Sequence, residues 1–191
     1  MMNTEDADAV LMQRIKSGDI GSFDELLGRH HKRVLNIVYK FIGNEQSSEG
    51  LAQEVFLRVF RAKESYKPTA KFTTWLYQIV KNLCLQQIKK KSNQTYSIDA
   101  NPDNPGEYIQ SPGALPSEIV EKKETADRVK EAIAGLPPNQ RIAIILNKYE
   151  ELSYQEIADT MDISAKAVKS LLLRARVNIK EKLADYVTPY E

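Results

Sequence analysis

Residues Leu152 to Arg176 read LSYQEIADTMDISAKAVKSLLLRAR. Ile157, Ala158 and Met161 fall on one face of a short helix. Val168, Leu171, Leu172, Ala175 and Ile179 form the apolar stripe of a longer one. Between them Asp162-Ile163-Ser164 supplies a turn, with Ile163 pointing inward and Ser164 placed to cap the second helix. Two helices joined this way make a helix-turn-helix, whose second helix enters the major groove of DNA. Its outer face presents Lys166, Lys169, Ser170, Leu173, Arg174 and Val177, with Arg176 beside the stripe. Lysine and arginine there hold phosphates or read guanine edges, and Ser170 suits either task. Leu173 suits a thymine methyl or a protein partner. The plainer reading is a helical hairpin with a solvated basic face. Turn, cap and outer cations agree with one another and favour DNA.

Moving towards the N-terminus, Asn139 to Glu150 reads as a helix, preceded by the break Gly135-Leu136-Pro137-Pro138 and by a helical pattern from Glu118. The segment from Ser92 to Ser117 carries Pro102, Pro105, Pro112 and Pro116, with Asp99, Asp103 and Glu107 and no Lys or Arg. That composition predicts an extended, mobile, acidic linker.

A second tract, LAQEVFLRVFRAKESYKPTAKFTTWLYQIVKNL from Leu51 to Leu83, lies beyond it. A helix from Gln46 to Ala62 turns Ala52, Val55, Phe56 and Val59 inward. Leu57 lies nearly opposite them, on the side of Gln53, Glu54, Arg58 and Arg61, which marks a second contact surface. Alone, Leu57 would pass as an ordinary exposed leucine. Pro68 separates this helix from the next, Thr73 to Lys91, which buries Leu76, Ile79, Val80 and Leu83. Thr74, Tyr77, Gln78, Lys81 and Asn82 are expected to face outward, followed by Lys89, Lys90 and Lys91. Aromatic, amide and basic groups on one surface suit single-stranded nucleic acid, whose bases stack and whose phosphates need cations. Trp75 sits at the edge, equally suited to the core, and the loop Lys63 to Phe72 has room to cradle an extruded base. Two further helices, Asp6 to Lys16 and Asp19 to Ile42, complete this half. No segment alternates with period two, so the chain is expected to be all-α: two small helical domains joined by a flexible tether.

Composition narrows the function classes. A hydrophobic fraction of 42% supports a core, while a net charge of +1 is a weak footprint for tight, unaided DNA binding. Cations must be clustered, or binding assisted. The single cysteine, Cys84, excludes an internal disulfide and reads as a buried inert thiol. No Cys/His cluster has metal-ligand spacing, and His30 falls on a core stripe, so no metal or cofactor is expected. The acidic N-terminus is unlike a secretory signal, and no apolar run would span a bilayer, which points to a cytoplasmic protein with no membrane insertion. Neither a catalytic triad nor a glycine-rich phosphate loop is present, so the chain is not expected to be an enzyme.

The strings LAQEVFLRVF, KFTTWLYQIVKNL, LPPNQRIAIILNKYEELSYQEIA and AVKSLLLRAR, in that order, resemble the extracytoplasmic-function (group 4) RNA polymerase sigma factors of the sigma-70 family. The resemblance runs from about Val10 to Leu183. It implies a region 2 domain over residues 1–92, a linker over 93–117 and a region 4 domain over 118–191. It further implies that Leu51, Gln53, Glu54, Leu57 and Arg58 bind the clamp helices of the largest subunit of core RNA polymerase. Lys71, Phe72, Thr74, Trp75, Tyr77, Gln78, Lys81 and Asn82 would open and read the single-stranded −10 promoter element. Ser164, Lys166, Lys169, Ser170, Leu173, Arg174 and Arg176 would read the double-stranded −35 element, and region 4 would also touch the polymerase flap. An anti-sigma factor is the expected regulator, a stress or envelope signal the expected trigger, and the free protein is expected to be a monomer with loosely placed domains.

Gly50 stands where that family usually has an acidic residue. Leu171 and Leu173 stand where it usually has a basic residue and a histidine or aromatic. Two other readings remain open: a stand-alone helix-turn-helix regulator, which would need a dimer and a palindromic site, and a sigma mimic that titrates regulators.

Overall fold

The structure, a computed structural model, describes residues 6–95 and 117–184. Among them every regular element is an α-helix. In chain order these are α1 (Ala7–Lys16), α2 (Ile20–Ile42), α3 (Glu45–Arg61), α4 (Phe72–Thr95), α5 (Ser117–Ala134), α6 (Pro138–Lys148), α7 (Tyr154–Met161) and α8 (Ala165–Leu183). Helix α4 carries on through Thr95, further than the break expected near Ser92. The rest of the expected linker lies outside the described residues.

Short polar side chains start these helices by accepting from otherwise unpaired N–H groups. Asp19 accepts from Ser22 N at 3.3 Å, Asn44 from Ser47 N at 2.8 Å, and Ser164 from Ala167 N at 3.2 Å. Helix α2 ends at Gly43, whose φ of 80° is the left-handed conformation that glycine adopts without strain. Pro138 opens α6, where its missing N–H leaves nothing unpaired.

The first lobe packs α1, α3 and α4 around α2. Met12, Ile15, Leu26, Ile37, Phe41, Val55, Phe72 and Leu76 are all enclosed there. The second lobe packs α5, α6 and α7 on α8, around Ile142, Ile145, Leu146, Ile157 and Leu172. Cys84 is buried in the first lobe, and burial pushes its thiol up to about 12, so it stays protonated and inert. His30 is buried too, its Nε2 2.7 Å from Asp8 Oδ2.

The lobes touch. Helices α5 and α6 meet α2, and α7 lies along α4. Arg141 of α6 donates to the carbonyls of Phe41 (2.9 Å), Leu136 (3.2 Å) and Ala134, drawing the ends of α2 and α5 together. A guanidinium set against helix C-termini also meets the negative end of each helix dipole. Lys130 Nζ donates to Tyr39 Oη at 2.7 Å. The two lobes are therefore closed on one another here.

Two outcomes follow from these local arrangements. Gly50 lies exposed within α3, and a Cβ there would meet no atom within 4 Å. Gly50→Ala should stabilise the chain by about 1 kcal/mol, read as a Tm rise of roughly 2–4 °C. Glu156 caps α7 with Ser153 and pairs with Lys71 Nζ at 2.9 Å, contacts that hold its carboxyl down at about 2, Lys71 contributing most. Its folded value is depressed, so its stabilisation is complete above the ordinary 4.5 and fades as pH falls towards about 2. A carboxyl NMR titration of Lys71→Ala should show Glu156 moving up towards 4.5 while Ser153 keeps it below.

Candidate nucleic-acid interface

Helices α7 and α8 are set by two caps and one turn. Ser153 N donates to Glu156 Oε2 at 3.1 Å and Glu156 N to Ser153 Oγ at 3.2 Å, a reciprocal capping box. Asp162 closes α7 with φ 57°, a left-handed position that a short polar residue tolerates. Ile157, Ala158 and Met161 are buried against Val168, Leu172 and Ala175, while Ile163, Leu171 and Ile179 are half-buried. The opposite side of α8 leaves Lys166, Lys169, Ser170, Leu173 and Arg174 exposed, with Ser164 at its start. Leu173 is 62% exposed, and Val177, one turn on, 46%. Arg174 Nε reaches back to Ser170 O at 3.4 Å. Arg176 stands apart from this ridge. It lines an apolar groove between α5, α6 and α8, with Ile133, Ile144 and Ile179 on the walls and Lys148 and Lys180 on the rim.

On α3, Leu57 is 49% exposed and Gln53 is exposed, while Arg58 Nε holds Glu54 Oε1 at 2.9 Å. Leu51 is half-buried against the core. Gln53, Glu54, Leu57 and Arg58 share the side of α3 away from Val55, Phe56 and Val59, which are buried, and Leu51 lies at the edge between the two sides.

The start of α4 is an aromatic cluster. Phe72 is fully buried, and half-buried Trp75 packs edge-on to Tyr66, ring centroids 4.9 Å apart, and tilted against Phe72 at 5.7 Å. Asp6 fastens this corner: its Oδ1 accepts from Asp8 N at 3.1 Å and its Oδ2 from Phe72 N at 2.6 Å. One carboxylate thereby caps α1 and ties α4 to it, and the tie to Phe72 is the part that no local pattern in the sequence announces. Burial, aided by the charges of Asp6 and Asp8, pushes the Tyr66 hydroxyl up to about 12.

The outward placement expected of Thr74 and Tyr77 is corrected by the structure. Thr74 is 7% exposed and Tyr77 2%. Tyr77 is covered because the second lobe closes over α4. Its hydroxyl donates to Glu150 Oε2 at 3.0 Å, and the same oxygen lies 2.8 Å from Arg33 Nε. The Glu150 side chain is only 5% exposed. Burial raises its carboxyl, against the lowering effects of Tyr77, Arg33 and Lys40. Burial and the Glu150 charge push the Tyr77 hydroxyl well above its ordinary value. Gln78 Nε2 donates to Asp159 O at 2.9 Å, and Lys71 holds Glu156. Lys81 is half-buried beside Asp162, its ammonium lowered by desolvation. Asn82 is exposed. No group of three or more His, Cys, Asp or Glu among the described residues could hold a metal, and no described helix is long and apolar enough to cross a membrane.

Comparison with known proteins agrees with this arrangement. Residues 26–94 match Sigma-70 region 2, and residues 126–179 match Sigma-70, region 4. The ECF RNA polymerase sigma-E factor of Escherichia coli is 30% identical over 191 residues, covering 97% of this chain and 99% of that protein. The ECF RNA polymerase sigma factor SigW of Bacillus subtilis is 29% identical, over 91% and 95% of the two chains. Among solved structures, CnrH in complex with the cytosolic domain of CnrY superposes with a TM-score of 0.70 at 22% identity, covering 96% of this chain and 100% of that one. The sigma factor RpoE in complex with the anti-sigma factor NepR, from Bartonella quintana, gives 0.66 at 21% identity over 85% and 96%. With both regions in their order and near-complete mutual coverage, this chain belongs to the extracytoplasmic-function family of RNA polymerase sigma factors.

Proposed function

We propose that this protein binds core RNA polymerase, recognises −35 and −10 promoter elements, melts the latter and directs transcription initiation. The observation that carries the reading is the exposed face of α8, where Lys166, Lys169, Ser170 and Arg174 stand clear behind a capped, tightly turned α7. Cations and a hydroxyl so placed suit a helix laid in the major groove. Ser164 and Leu173 lie on the same side. The near-neutral chain, with its net charge of +1, then relies on the polymerase for most of its DNA affinity.

Leu57, with Gln53, Glu54, Arg58 and the half-buried Leu51, forms the clamp-helix surface in this reading. The α5–α6–α8 groove suits the polymerase flap, since its apolar walls with Lys148, Arg176 and Lys180 nearby fit an amphipathic acidic segment. For the −10 strand, Lys71, Gln78, Lys81 and Asn82 supply polar and cationic contacts, and Trp75 a stacking edge. Phe72, Thr74 and Tyr77 support that surface from beneath. Because CnrH is found in complex with the cytosolic domain of CnrY and RpoE with the anti-sigma factor NepR, we assign this chain an anti-sigma regulator as well.

Run-off transcription with purified protein, core polymerase and genomic promoter fragments tests the reading directly. Discrete transcripts that require the protein are expected; failure to bind core enzyme would instead favour a stand-alone regulator. Leu57→Asp should weaken core binding about tenfold, roughly 1.4 kcal/mol, with the circular-dichroism spectrum unchanged because the side chain is exposed. Lys169→Ala with Arg174→Ala should cut initiation by roughly tenfold or more, at about 1–3 kcal/mol per lost DNA contact, on promoters that depend on the −35 element.

A further inference from the structure

Helix α1 carries none of the residues assigned to DNA or polymerase, yet both ends of the loop between α3 and α4, residues 62–71, are bonded to it. Just past α3, Lys16 Nζ donates to Glu64 O at 3.2 Å; where α4 begins, the Asp6 carboxylate accepts from Phe72 N at 2.6 Å. Asp6 is the N-cap of α1 and Lys16 its last residue, so the ties leave opposite ends of a helix about 15 Å long. Between them Tyr66 is the one buried residue of the loop, packed against Phe72 and Trp75, while Lys67 to Lys71 are exposed. The helix is itself fixed by contacts that the loop does not supply. It packs on α2 with Met12 and Ile15 enclosed, and Asp8 holds Arg29 at 2.8 Å and His30 at 2.7 Å.

We propose that α1 is a splint for this loop, with Asp6 and Lys16 the positioning residues that hold its ends at the spacing an extruded −10 base needs. This rests on the promoter-melting function proposed above, with the loop as the base pocket. An exposed loop has many conformations, and a base leaving the stack must meet the right one. Ordering the loop before DNA arrives removes that entropic cost from the melting step. Both ties take backbone atoms of the loop and of Phe72, so they occupy no loop side chain. Asp6 supplies the firmer one, because its bond is charge-assisted and partly buried, whereas Lys16 bonds a carbonyl in water.

The test is run-off transcription by the full chain with core polymerase on one promoter in two forms: fully duplex, and with the −10 element already opened by mismatches. Asp6→Ser keeps a capping oxygen for Asp8 N, so α1 still starts, but one short hydroxyl cannot also reach Phe72 N. Initiation on the duplex should fall about tenfold with the loss of this charge-assisted bond, and should stay near the wild-type level on the opened form. Lys16→Ala, at an exposed position, should show the same bias more weakly, about two- to threefold. A fault in folding or in core binding would lower both forms alike. The inference is overturned if either variant loses equally on the two forms, no loss on both included. If the wild-type protein starts no transcript from either form, the promoter-factor reading fails and the splint falls with it.

Discussion

Both lobes depend on one long amphipathic helix. Helix α2 has 23 residues and is about 34 Å long at 1.5 Å per residue. Leu26, Val34, Ile37, Val38 and Phe41 are fully enclosed along it. Helices α1, α3 and α4 use its length, while α5 and α6 gather at its C-terminal end. That end is unusually well finished: Gly43 N–H bonds back to Tyr39 O at 2.8 Å, Arg141 takes the Phe41 carbonyl, and Lys130 the Tyr39 hydroxyl. Cations from the second lobe thus answer the negative pole of a helix in the first. The relative placement of the lobes follows from where α2 stops.

How much of this was legible in the sequence depended on range. The turn was spelled out as Asp162-Ile163-Ser164, with Ser164 as the cap, while the capping box of Ser153 and Glu156 emerges only in the structure. Inner stripes such as Ala52, Val55, Phe56 and Val59 needed only helical periodicity, and all are buried. Helix ends were read to within a few residues, α4 being the exception, since Ser92 to Thr95 carry no proline or glycine to stop it. Thr74 and Tyr77 were misplaced for another reason. Periodicity gives the face that one helix turns to its own lobe, but says nothing of a second lobe arriving from the far side. Asp6 and Glu150 were invisible because their partners, Phe72 and Tyr77, lie 66 and 73 residues away. Isolated carboxylates on polar sequence offer no pattern that distinguishes them from solvated ones.

The distribution of charge is coherent with these contacts. Lys+Arg number 27 and Asp+Glu 26, yet the described ion pairs include two that cross between lobes, Arg33–Glu150 and Lys71–Glu156. Near-neutrality is thus partly a matter of internal matching. The ridge of α8 is different, for Lys166, Lys169 and Arg174 stay exposed to water. The chain thus pairs cations of α4 across the lobes and leaves those of α8 open.

That open ridge also holds Leu173 and Val177, one helical turn apart and well exposed among cations. Methyl groups in that setting keep hydration water ordered beside strongly solvated charges. Whatever docks on α8 releases both kinds of solvent, and the two respond to different variables. Displacing counterions from phosphates makes affinity fall with ionic strength. Drying an aliphatic pair leaves salt almost without influence and instead gives association a negative heat-capacity change. Calorimetry over a range of temperatures would therefore see a component of recognition to which salt titrations are blind.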